Sequence, residues 1–94
     1  MEKVLFNIPH VKLVRLDSGR YCLVVEDTLV NDLVEDFLWD DYVYQATTVS
    51  VPGKSMPAVY SNYFDDTLPV EALIEMLQQL DPAEVEQAFK IHNG

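Results

Sequence analysis

The stretch from Val34 to Gln45, VEDFLWDDYVYQ, sets Glu35, Asp36, Asp40 and Asp41 beside Trp39, Tyr42 and Tyr44, with Asp32 just upstream and no lysine or arginine. Carboxylates are the only chemistry-bearing groups this chain has in number. Such groups serve acid–base catalysis, divalent-cation binding, or docking of a basic surface. Neighbouring positions on a helix or strand point apart, so Asp40-Asp41 and Asp65-Asp66 are not ready-made acid–base pairs. Neither doublet sits in the alternating-oxygen loop of an EF-hand.

Other chemistries have fewer candidates. Cys22 lies within YCLVV, where a cysteine behaves as a small apolar residue, and reactive thiols need an electropositive setting that this chain barely offers. His10 and His92 with that one cysteine do not supply the clustered ligands of a zinc site. His92, near the end of a helix, reads as a complement to the helix dipole. The glycines Gly19, Gly53 and Gly94 form no phosphate-binding spacing. Ser18 and Ser55 lack the strand–turn–helix context of a nucleophile elbow. We expect no catalytic residue, no metal site and no cofactor.

The elements that must hold the acidic stretch are partly legible. HVKLVRLDSGRYCLVVED reads as a β-hairpin, with Gly19 at the loop position that needs a left-handed backbone. DTLVNDLVEDFLWDD reads as a helix capped by Asp27 or Thr28. Leu29, Val30, Leu33, Val34, Phe37 and Leu38 form its apolar stripe, and Asn31, Asp32, Glu35, Asp36 and Asp40 its polar face. YVYQATTVSV is β-branched and aromatic and reads as a strand with Tyr42 and Tyr44 on one side. Pro52-Gly53 suits a type II turn, and MPAVYSNYF a returning strand confined by Pro57 to an edge or a short piece. The return brings Tyr60 and Tyr63 towards Tyr42 and Tyr44.

Two further helices follow. Val70, Leu73, Ile74, Leu77 and Leu80 stripe the first; Asp81, Pro82 and Glu84 open the second in capping-box style, with Val85, Ala88 and Phe89 inward. The expected fold is α+β: an antiparallel sheet, made of the N-terminal β-hairpin plus one or two further strands, packed against three helices. The 94 residues fit one domain.

Charge is the outlier. The net charge is −10, and after Arg20 only Lys54 and Lys90 offset the acids. Such a field repels nucleic acid and anionic membrane and attracts basic proteins. With one cysteine, no signal-like start and no membrane-length apolar run, a cytoplasmic setting is the expectation.

On a helix Asp32, Asp36 and Asp40 stack at four-residue steps, each like-charge pair costing about 0.2–0.5 kcal/mol. Asp40 and Asp41 also meet the negative end of the helix dipole, at about 0.3–1 kcal/mol each. Nothing local compensates, and a rule broken without local gain points to use. The expected partner-binding residues are Asp32, Glu35, Asp36, Trp39, Asp40, Asp41, Tyr42, Tyr44, Tyr63, Asp65 and Asp66. They imply a small, non-enzymatic interaction protein for a basic partner. Its sharpest form is an inhibitor of the immunity, antitoxin or phage anti-defence kind, its carboxylates standing in for phosphates. The alternatives are an accessory subunit that self-associates as a homo-oligomer, and a divalent-cation module built on the aspartate doublets.

Overall fold

The computed structural model describes residues 2–38, 41–54, 56–65 and 67–93, with backbone alone for 92 and 93. Along the chain run β1 (Lys3–Ile8), β2 (Val11–Arg15), β3 (Tyr21–Glu26), α1 (Thr28–Leu38), β4 (Ala46–Ser50), β5 (Val59–Tyr63), α2 (Val70–Leu77) and α3 (Pro82–Asn93). The strands make one antiparallel sheet in the order β1-β2-β3-β5-β4, so the fold is α+β.

The hairpin through Asp17-Ser18-Gly19 joins β2 to β3. Gly19 takes φ 89° and donates its N–H to Leu16 O at 2.9 Å, while Leu16 N–H bonds Arg20 O at 2.8 Å. This is the three-residue loop closed by a left-handed glycine that the sequence calls for. β1, not foreseen as a strand, pairs with β2 across Pro9 and His10. His10 sits at φ 69°, a left-handed backbone in the tight turn after Pro9. Its ring stacks on Phe89 of α3, with centroids 3.7 Å apart, and its Nε2 lies 3.0 Å from Glu86 Oε2. The turn is thereby fastened to the last helix.

Asp27 is the cap of α1. Its Oδ2 accepts the N–H groups of Leu29 at 3.0 Å and Val30 at 3.3 Å. Val30, Val34 and Leu38 are buried against Val11, Leu13, Leu23 and Val25 of the sheet, in one core that also takes in Phe64, Leu73, Leu77, Leu80 and Val85. All three helices therefore serve a single sheet face. Two positions change sides: Leu29 of the expected stripe is exposed, and Asn31 of the expected polar face is buried. Asn62 Nδ2 explains the second, bonding Asn31 Oδ1 at 3.0 Å and Leu23 O at 3.2 Å, while Thr47 Oγ1 donates to Asn62 Oδ1 at 2.9 Å. These bonds lock α1 in register over β3, β5 and β4.

β5 is short, as Pro57 suggested, but it lies inside the sheet between β3 and β4. Proline stands two residues before the strand and so removes no ladder bond. The edge falls instead to β4. Gly53 has no positive φ, so Pro52-Gly53 is not a type II turn. α2 stops at Leu77, and bonds from Gln79 N–H to Met76 O and Leu80 N–H to Leu77 O tighten the exit. Asp81 caps α3 through Oδ1, which accepts the Ala83 N–H at 2.9 Å. Among the described residues no helix is long and apolar enough to cross a membrane.

Candidate functional site

Asp32, Glu35 and Asp36 stand exposed on the outer side of α1. The helix ends at Leu38, whose carbonyl accepts the N–H groups of Asp41 at 3.0 Å and Tyr42 at 2.9 Å. Asp41 is exposed at the turn. Tyr42 and Tyr44 follow in an irregular segment ahead of β4, and not within a strand. They do share a side: both rings meet Phe64 edge-on, at 6.4 Å and 5.3 Å between centroids. Val43, between them, points outward and is 84% exposed.

Glu35, Leu38, Tyr42, Val43 and Tyr44 line a cleft of about 160 Å³. On its other flank Tyr42 borders a shallow groove with Asp41, Glu75, Met76 and Gln79. The acidic surface thus continues from α1 over the 41–44 segment to α2. Glu75 belongs to this surface and was not anticipated; its four-residue spacing from Glu71 was the available signal.

Other expected members fall elsewhere. Asn62 faces the helices, so its neighbour Tyr63 faces the reverse side of the sheet, where the Arg20 guanidinium lies 5.5 Å from its ring. Tyr63 is therefore not part of the acidic face. Tyr60 points to the helix side and bonds Thr28 Oγ1 at 2.9 Å. Asp65 is a turn residue: its Oδ1 accepts the Thr67 N–H at 3.0 Å and the Thr67 hydroxyl at 3.1 Å. Trp39, Asp40 and Asp66 lie outside the described residues.

Among the described residues, no ion pair joins Asp32, Glu35, Asp36, Asp41 or Glu75 to a basic group; the described pairing of opposite types is His10 with Glu86. Arg20 is committed to the side-chain oxygen of Gln45 and to Tyr63. Lys12 pairs in register with Val24 and faces away from the helices.

Among the described residues one buried polar side-chain atom lacks a partner. The Tyr44 hydroxyl is closed to solvent and has no hydrogen-bond partner. Burial, and secondarily the charge of Glu35, push its phenol above the ordinary tyrosine range. Cys22 faces the reverse side of the sheet beside Val14, and burial raises its thiol too. His10, pinned to α3, is across the sheet from it, so the two form no nucleophile–base pair. No group of three or more metal-ligating side chains occurs among the described residues. The chain matches no protein-family model, no curated protein and no solved structure.

Proposed function

We propose that this domain is a protein-binding module whose acidic helix layer engages a basic protein partner. The observation that carries this reading is the set Asp32, Glu35, Asp36, Asp41 and Glu75, all exposed and none ion-paired among the described residues. Unneutralised charge on one side of a small protein steers an oppositely charged partner into place. The cleft beside it supplies an anchor. Its volume of about 160 Å³ is close to that of cavities that hold one benzene ring, and below the range of drug-sized sites. One lysine or arginine side chain suits it: the stem along Leu38 and Val43, the cation near the Tyr42 ring and Glu35. The unused Tyr44 hydroxyl in the same wall marks a place where the fold is not optimised for itself alone. The inhibitor version is the specific form of this proposal, with the face covering a groove built for phosphates.

Affinity capture with wild-type bait and with a Glu35→Lys, Asp36→Lys bait tests it. Basic proteins should be retained at about 0.05 M salt, released at about 0.3 M, and absent from the reversed bait. Equal capture by both baits would remove the acidic face from the interaction.

A further inference from the structure

The sheet has two edge strands, and they differ: β1 carries Lys3 and a break in register between Val4 and Phe6, whereas β4 carries no charge. From Tyr42 to Gly53 there is no Asp, Glu, Lys or Arg, in a chain of net charge −10. All five residues of β4 are exposed, with Val49 at 55% and the following Val51 at 66%. Exposed edges are usually blunted by a charge, a proline or a bulge. β4 has none: its register against β5 is unbroken from Ala46 to Ser50, and Pro52 lies beyond it.

The ladder shows which backbone groups are free to pair. Phe64 N–H bonds Tyr21 O at 3.1 Å, so Tyr21 and Phe64 stand at the hydrogen-bonded parity of the ladder. Exchanging pairs recur at every second residue. Asn62 and Tyr60 therefore turn their backbone groups to β3, and Tyr63, Ser61 and Val59 turn theirs to Ala46, Thr48 and Ser50. Thr47 and Val49 are left with N–H and C=O directed outward, away from the sheet.

We infer that β4 pairs antiparallel with β4 of a second copy about a two-fold axis at Thr48, joining the two sheets into one. In that register Thr47 exchanges two hydrogen bonds with Val49 of the other copy, and Val49 two with its Thr47. Ala46 lies beside Ser50, and Thr48 beside Thr48, a favourable cross-strand pair. No charged side chain meets another along the seam. A basic partner drawn by carboxylates has nothing to hold on Ala46–Ser50. For two acidic copies, in contrast, a neutral edge is where they meet without opposing carboxylates. The pairing is independent of the acidic-face reading and uses different residues.

Light scattering or sedimentation should show a mass rising with concentration from 10.8 kDa towards twice that. Added salt should strengthen the association, because it screens repulsion between like-charged copies. The acidic-face interaction responds to salt in the opposite sense, so the two readings fail separately. Val49→Pro removes an outward N–H and leaves the bonds to β5 intact, and it should abolish the dimer while the fold is retained by circular dichroism. Thr48→Cys gives a register test. A non-exchanging pair has Cα atoms about 4.5 Å apart, within disulfide range. Thr48→Cys should cross-link rapidly under mild oxidant, whereas Ala46→Cys, opposite Ser50, should not. A mass that stays monomeric at every concentration and salt, a Val49→Pro dimer as tight as wild type, or equal cross-linking at both positions would overturn the inference. A monomer would leave the edge to an extended segment of another protein.

Discussion

Tyr44 concentrates the tension between stability and use in one atom. A buried hydroxyl without a partner has lost its water and gained nothing, at a cost of about 1–3 kcal/mol. Tyr44→Phe keeps the edge-on contact with Phe64 and removes that cost. The variant should be more stable by about 1 kcal/mol, raising Tm by about 4–8 °C in a domain of this size. A lower Tm would mean that the hydroxyl is satisfied after all. Alkaline pH gives a second readout. The phenol is raised in the folded state, so below about pH 10 both states keep the proton and nothing changes. Above that the unfolded chain ionises first, and stability falls as pH climbs towards the folded value. Tyr44→Phe should lose that part of the slope. Cys22, also raised by burial, adds a fall of the same sign beginning nearer pH 8.5. Cys22 was legible in sequence as a packed residue; the orphaned hydroxyl was not, because only tertiary placement decides whether a tyrosine finds a partner.

At the scale of elements, α1 holds the acidic face and Asn62 holds α1. Asn62→Ala leaves buried Asn31 Oδ1 without its donor and cuts the tie to Leu23 O, so a loss of about 1–3 kcal/mol is expected in denaturant unfolding. Adding Asn31→Ala should cost less than the sum of the two single changes, since both delete one interaction. Asp36→Lys acts on the opposite side of α1. It converts the Asp32–Asp36 repulsion into attraction and should stabilise the helix by about 0.2–0.5 kcal/mol while weakening capture of a basic partner. Loss of both stability and capture would mean that the acids serve folding. Apolar periodicity revealed α1, and Asp17-Ser18-Gly19 revealed the β2–β3 hairpin. β1 was hidden because its turn uses His10 in a conformation more usual for glycine or asparagine. Tyr63 was misplaced for a reason of parity: it stands three residues from Tyr60, so the two cannot share a strand face. Burial of Asn31 depends on a partner 31 positions away, beyond the reach of any local pattern.

The whole molecule carries a net charge of −10 within a radius of gyration of 12.8 Å. At about 0.01 M salt the screening length is about 30 Å, so every carboxylate feels every other; at about 0.15 M it is about 8 Å, and only neighbours interact. Like charge crowded into a compact state favours the expanded one. With no ion pairs among the described residues of the acidic face to be weakened by screening, salt should raise Tm across this range. Dimerisation through β4 would do the same by mass action, because a copy that binds only the folded chain stabilises it. Val49→Pro separates the causes. Its salt-dependent rise should persist without dependence on protein concentration if self-repulsion is relieved, while the wild type should show a further, concentration-dependent rise. Neutralising the face with Glu35→Gln and Asp36→Asn in the Val49→Pro background should flatten what remains. A Tm that falls with salt in that monomeric variant would show the carboxylates to be stabilising within the fold. The acidic face would then be a structural surface, with no charge left over to direct at a partner.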